Sequence, residues 1–187
     1  TEDRRVRKTK KAMTKALAQL LLEKPLASIS VREIAELADI NRGTFYLHYH
    51  DVYDMVEKLQ NEIFDQFNEI VDRYEPRDGT DELFPLLVAQ FQFLSENAEL
   101  AKALIGKNGD AAFVDKLKVI IREKCFVNVK KVLKIKKECE FDYFYHFIVS
   151  GCIGICSAWL FGGRKESPAE MAALIEKLIV NGAAVLK

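Results

Sequence analysis

SVREIAELADINRGTFYLHYH, residues 30–50, is the stretch from which the rest of the chain can be read. Ser30 and Glu33 are spaced as a capping box, in which the hydroxyl accepts from the backbone N–H three residues on and the carboxylate reaches back. A short helix therefore starts at Val31 and runs to about Ala38. Asp39, Ile40 and Asn41 then form a three-residue turn. Asp39 tolerates the left-handed backbone region better than most residues, and Asn41 caps a second short helix from residue 42 to about 49. Ile34, Ala35, Ala38, Ile40 and Phe45 supply an inward face, with Ala35 small enough for the two helices to cross steeply. Two short helices joined in this way read as a helix-turn-helix. Arg42, Thr44, Tyr46, His48 and His50 crowd hydrogen-bonding side chains onto two turns, while Gly43 lets the backbone come close to another surface. Such a face suits a DNA groove.

Upstream, residues 4–23 form a two-sided helix. Met13, Leu17, Leu20 and Leu21 make its apolar stripe, and Arg4, Lys8, Lys11 and Lys15 recur at i, i+4, i+7 and i+11. Pro25 stops it. An arm along a phosphate backbone explains that basic spacing, and so does a solvated helix face. Downstream, Asp51 caps a long helix carrying Val52, Met55, Val56, Leu59, Ile63, Phe67, Ile70, Val71 and Tyr74 on one face, ending before Pro76. Further helices are expected at 81–95, 98–107, 110–134, 138–161 and 168–187. The last has the clearest start: Gly162 and Gly163 end its predecessor, and Ser167, Pro168 and Glu170 open it. No segment alternates apolar and polar residues as a half-buried strand does, so the fold class is all-α, with about nine helices. Residues 1–50 are expected to be a DNA-binding domain of three helices, and residues 51–187 a larger helical domain for effector binding and dimerisation.

Charge and composition narrow the function. The 187 residues carry 28 basic and 28 acidic side chains, so the whole molecule offers no electrostatic preference. The balance is local: residues 1–50 hold a net +4 and the remainder a net −4. Within residues 1–15 alone the net is +5. Lys130, Lys131, Lys134, Lys136 and Lys137 form a second basic run, but Glu138, Glu140 and Asp142 follow it closely, as at a solvated helix end. Cys125, Cys139, Cys152 and Cys156 form no CxxC pair and read as reduced thiols of a cytoplasmic protein. The first 25 residues hold no apolar stretch of the secretory kind. The uncharged run from Tyr143 to Gly163 is strongly apolar only over 15 residues, short of a span, and reads as a buried or interface helix with no membrane partner. Walker, GxGxxG, HExxH and GxSxG motifs are absent, which disfavours an enzyme; neither a cofactor nor a metal is expected.

The residues Ser30, Ile34, Ala35, Ala38, Ile40, Asn41, Arg42, Gly43, Thr44, Phe45, Tyr46 and Tyr49 resemble the amino-terminal pattern of the tetracycline-repressor (TetR) family of bacterial transcriptional regulators. The similarity covers about residues 4 to 56. It implies a homodimer that binds a double-stranded DNA operator. Arg42 and Gly43 would face base edges, Thr44, Tyr46 and His48 would hold phosphates, and Arg32 would reach the groove or backbone. The full expected DNA-binding set is Arg4, Lys8, Lys11, Ser30, Arg32, Asn41, Arg42, Gly43, Thr44, Tyr46, His48 and His50. Two positions depart from the family pattern. Asp39 stands where a turn glycine is usual, and Val52 where a phosphate-binding lysine is usual, which lowers the expected phosphate affinity unless His50 or the basic arm substitutes.

The carboxy-terminal part is expected to sense and to dimerise. GCIGICSAWLFGG (151–163), followed by SPAE, is similar to the carboxy-terminal domain of a Firmicutes-type TetR subgroup and names no ligand. Gly151, Gly154, Ile155 and Trp159, with Leu174 and Leu178 of the last helix, are the expected interface of a four-helix dimer contact. Phe64, Phe67, Phe91, Phe113, Phe126, Tyr145 and His146 are the expected lining of an apolar pocket for a small-molecule effector of unknown identity; a plain aromatic core gives the same pattern. His146, Cys152 and Cys156 lack a further ligand for a soft metal. The expected function is a repressor released from a palindromic operator by that effector. The alternatives are a regulator controlled by a protein partner, and a small-molecule-binding helical protein whose helix-turn-helix is vestigial.

Overall fold

In the computed structural model, which describes residues 4–74, 83–126 and 138–184, every regular element is helical. Helix α1 (Arg4–Glu23) turns Met13, Ala16, Leu17, Leu20 and Leu21 inward. Pro25 ends it as expected, but a 3₁₀ turn, Leu26–Ser28, intervenes before the next helix. Both halves of the capping box form at the start of α2 (Val31–Leu37). Ser30 Oγ accepts from the Glu33 N–H at 3.3 Å, and the Ser30 N–H donates to Glu33 Oε2 at 3.0 Å. Asp39 takes φ 53° in the turn, the left-handed conformation anticipated for it.

Helix α3 (Arg42–Tyr46) is shorter than its periodicity suggested. Asn41 occupies the cap position, but its side chain makes no capping bond; its carbonyl accepts the Thr44 and Phe45 N–H groups instead. A short irregular turn then leads to α4 (Val52–Arg73), where Asp51 Oδ1 accepts from the Asp54 N–H at 2.8 Å. The 22 residues of α4 span about 33 Å at 1.5 Å per residue.

Two compact units share the chain, and neither is continuous in sequence. The first takes the residues up to Phe64 together with Asn97–Val114. In it α1 packs on α2 and along α6 (Ala98–Ile105), while α2 packs on α3. Met13, Leu17, Ile34, Phe45 and Met55 are the largest of its fully buried side chains. The residues after α6 are tied into the same unit. Asn108 donates to the Leu21 carbonyl at 3.1 Å, satisfying one of the orphan acceptors at the end of α1, and Gln60 donates to Asp110 at 3.0 Å.

The second unit takes Asp65–Glu96 and the residues from Asp115 onward. Its main packing is α5 (Leu83–Glu96) along α9 (Pro168–Ala183). The long helix expected over 110–134 is α7 (Ala111–Ile120) passing into a π-helical turn, Ile121–Phe126; its remainder, with the Lys130 to Lys137 run, lies outside the described residues. Helix α8 (Glu138–Phe161) ends as the glycines foretold. Gly163 adopts φ 91°, and the Arg164 N–H reaches back to the Trp159 carbonyl at 3.0 Å. Ser167 and Glu170 then form a complete capping box with Pro168 in the first turn of α9. Residues Phe141–Phe161 are long and apolar enough to cross a membrane by length and composition. Here Phe144, Tyr145, Ile148, Val149, Trp159 and Leu160 of this helix are buried within the chain's own fold, and Asp142, His146 and Ser150 lie outward.

Adjacent aromatics on α3 separate stability from recognition. Phe45→Ala is expected to lower the unfolding free energy by about 3–5 kcal/mol, since that ring is fully buried, whereas exposed Tyr46→Ala stays within about 0.5 kcal/mol. Urea unfolding of the two variants checks this. Equal losses would mean that the helix has been assigned the wrong inward face.

Candidate nucleic-acid interface

The crossing of α2 and α3 sets which side of α3 meets solvent. Phe45 is buried, with Tyr49 tilted against it at 5.6 Å between ring centroids. Arg42, Gly43, Tyr46 and Leu47 are therefore exposed together, since residues four apart share a helical face. Thr44 and His48 lie half-buried at the flank, and Asn41 and His50 are exposed at the two ends. Nothing lies within 4 Å of where a Gly43 Cβ would be, so internal packing does not demand glycine there; its absent side chain leaves clearance outward. Among the described residues no acidic group pairs with Arg42. A guanidinium with its donors uncommitted can address two acceptors at once, as on the O6 and N7 edge of guanine.

The turn after α3 is pinned from α4. Lys58 Nζ donates to Asp54 Oδ2 at 2.9 Å and to the His48 carbonyl at 3.3 Å, and it stands 5.6 Å from the Tyr49 ring centroid, within cation–π range. The same Asp54 oxygen accepts the His50 N–H at 2.8 Å. The Lys58 ammonium first, and the His50 amide next, hold the Asp54 carboxyl below the usual aspartate range. Neither Lys58 nor Leu47 was singled out from the sequence. The Asp54 and Lys58 spacing of four was the available signal for the first. Val52, at the position of the missing lysine, is 5% exposed and forms part of the core; nothing cationic stands there.

Other expected contacts are partly committed within the chain. The Ser30 hydroxyl both accepts from the Glu33 N–H and donates to Glu33 Oε2 at 2.8 Å. Arg32 pairs with Glu36 at 2.6 Å on the exposed side of α2, so reaching DNA requires it to exchange that partner. Lys24 pairs with Glu33 at 2.5 Å. Arg4, Lys8, Lys11 and Lys15 are all exposed, opposite the buried stripe of α1.

The residues of the expected effector lining are divided between the two units. Phe64 and Phe113 are buried against each other in the first unit, with centroids 4.9 Å apart. Phe91 and Tyr145 are buried in the second, where Phe67 is half-buried. Tyr145 donates to the Lys118 carbonyl at 2.6 Å. His146 is exposed on α8 and so lines no interior; it lies about 200° around the helix from buried Ile148. The side chain of Phe126 lies outside the described residues.

Of the six residues expected at a dimer face, one, Trp159, is not accessible on the single chain. Gly151, Gly154, Leu174 and Leu178 are exposed, and Ile155 is half-buried. Trp159 is 4% exposed, because its indole N–H donates to the Glu166 carbonyl at 3.0 Å and its ring meets Phe91 edge-on at 5.4 Å. Tyr143, Phe147 and Phe161 occupy the outward side of α8 instead. Burial raises the Cys152 thiol to about 11, and burial together with Cys152 raises Cys156 to about 12. Both stay protonated near neutrality.

Comparison with known proteins agrees with this geometry. Residues 14–59 match the family model described as bacterial regulatory proteins, tetR family, and residues 81–181 match one described as a transcriptional regulator C-terminal region. Over 61 residues the chain is 38% identical to the uncharacterized HTH-type transcriptional regulator YxbF of Bacillus subtilis, a match covering 28% of this chain and 16% of that protein's length. The fold resembles a putative fatty acid metabolism regulator of Clostridium perfringens, with TM-score 0.71, 20% identity, and 91% and 97% of the two chains covered. It also resembles FadR of Bacillus subtilis in complex with stearoyl-CoA, with TM-score 0.64, 16% identity, and 92% and 98% covered.

The Lys24 ammonium, followed by Ser30, holds the Glu33 carboxyl at about 2 rather than its ordinary 4.5. A depressed carboxylate stabilises the fold fully above its ordinary value, and that contribution fades as pH falls through about 2. Glu33→Gln should therefore lower the urea midpoint at pH 7, with wild type and variant converging between pH 4.5 and 2. A gap that stays constant over that range would break the assignment.

Proposed function

Because the chain belongs to the tetR family of bacterial regulatory proteins, which are DNA-binding transcriptional regulators, we propose that it is a repressor whose paired heads read a palindromic operator and release it when a small molecule binds. The observation that carries this reading is the outward side of α3, where Arg42, Gly43, Tyr46 and Leu47 stand exposed together while Phe45 and Tyr49 hold the helix down. Residues 1–50 do the reading in this proposal, and residues 51–187 sense and dimerise. The exposed basic side of α1 supplies contacts to phosphate that carry no sequence information. This is a regulator acting in the cytoplasm, not an enzyme.

Dimerisation follows from an apolar surface that a single chain leaves in water. Tyr143, Phe147, Gly151, Gly154 and Phe161 share the outward side of α8, and Leu174 and Leu178 that of α9. Phe147 is 73% exposed. A second copy covering these faces in a four-helix contact removes the surface from water and spaces two heads for successive major grooves. Helix α4 belongs to the first unit up to Phe64 and to the second from Asp65, so a ligand held among residues 51–187 can act on the head through one continuous element. Linkage then requires operator and effector to weaken each other by the same factor. Stearoyl-CoA occupies one structural relative, and that supports a small-molecule effector as a class without naming this one.

Control by a protein partner is the second reading. It is favoured by the aromatic side chains that fill their own surroundings, the Phe64–Phe113 and Phe91–Trp159 pairs above all.

Three variants test the proposal. Arg42→Ala should relax base preference at one position per half-site by about 1–3 kcal/mol, and Lys8→Ala should weaken all sequences alike while lowering the salt slope by about one. Sequence preference undiminished in Arg42→Ala would remove the assigned reader. Phe147→Lys should shift sedimentation from dimer to monomer, and a dimer that persists unchanged would place the interface elsewhere.

A further inference from the structure

Leu47, the residue that caps the C-terminal end of α3, is 81% exposed, and its place explains neither folding nor charge. On either side of it Phe45 and Tyr49 turn into the core of the head, whereas Leu47 lies outside that core. It stands one turn after Gly43, on the same side of the helix, and follows Tyr46; Arg42 is exposed further around the helix. Its backbone is fixed: the Leu47 N–H donates to the Gly43 carbonyl at 3.2 Å, and the carbonyl of the next residue, His48, is held by Lys58. The side chain therefore projects from a braced position. An apolar group left in water regains free energy only when a partner covers it. Of the four bases, thymine alone presents an apolar group, its C5-methyl, on the major-groove edge.

Building on the reading of α3 as the recognition helix, we propose that Leu47 reads a thymine in each operator half-site through that methyl group. Arg42 and Leu47 are five residues apart in the chain, so this thymine is a different base from the one addressed by Arg42.

The test removes the methyl from the DNA rather than a group from the protein. An operator recovered from random duplexes is remade with each thymine replaced in turn by deoxyuridine. Affinity is then measured by fluorescence anisotropy for the full-length wild type and for Leu47→Ala. In wild type, one thymine per half-site should lose about fourfold on demethylation, as expected for one buried carbon, and about 15-fold when both half-sites are changed. Leu47→Ala should bind the unmodified operator correspondingly less well and be indifferent to deoxyuridine at those positions. Because Leu47 is exposed, the variant should unfold at the wild-type urea concentration, which confirms that the protein compared is intact.

A scan that is flat in wild type overturns the proposal, and so does a methyl effect that survives unchanged in Leu47→Ala. The same holds if Leu47→Ala weakens every sequence equally, which would mark a sugar or backbone contact. Those three results leave the DNA-reading function of α3 standing. Recovery of no preferred sequence at all removes both.

Discussion

Everything proposed for the head depends on one side chain being inside. Phe45 is fully buried where α2 and α3 cross, and a helix with 3.6 residues per turn has no remaining freedom of rotation once such a side chain is fixed. Arg42, Gly43, Tyr46 and Leu47 are outward because Phe45 is inward. The neighbouring devices defend that phase from both ends. Before α3, Asp39 in its left-handed turn sets where the helix begins; after it, the Lys58, Asp54 and His50 contacts set where the chain leaves. The recognition helix has only five residues and would not persist alone, so its direction is borrowed from its supports.

Much of this was legible in residues 30–50. Capping boxes, the left-handed Asp39 and the glycine end of α8 are local chemistry, decided within three to six residues, and each appears where its sequence signature lies. What escaped were features decided by distant partners. Trp159 looked like an interface residue because it lies among glycines, but its indole is claimed by Glu166 and Phe91, which periodicity cannot disclose. His146 was grouped with the pocket by its chemistry, while its position in the helical turn places it outside. The sequence carries no signal that Leu47 is exposed, since an apolar side chain beside a core aromatic is equally compatible with burial.

The two units divide the labour differently from a cut at one residue. Helix α6 and the loop that follows it pack with α1, and Asn108 and Gln60 tie that loop into the same unit. Residues far along the chain thus help to hold the head, so α3 is tied to residues 51–187 covalently through α4 and by packing and hydrogen bonds through α6 and the segment after it. The apolar side of α8 serves a different need. It passes a length and composition test for a membrane span because one side is core and the other is covered, in the proposal, only by a second subunit.

The most direct measurement is selection of bound sequences from a random duplex library with the purified protein at stated salt. A symmetric dimer whose α3 helices enter successive major grooves predicts an enriched inverted repeat, with half-site centres about one helical turn apart or a multiple of it. Enrichment of nothing, with only weak binding abolished by salt, would contradict the account at its centre.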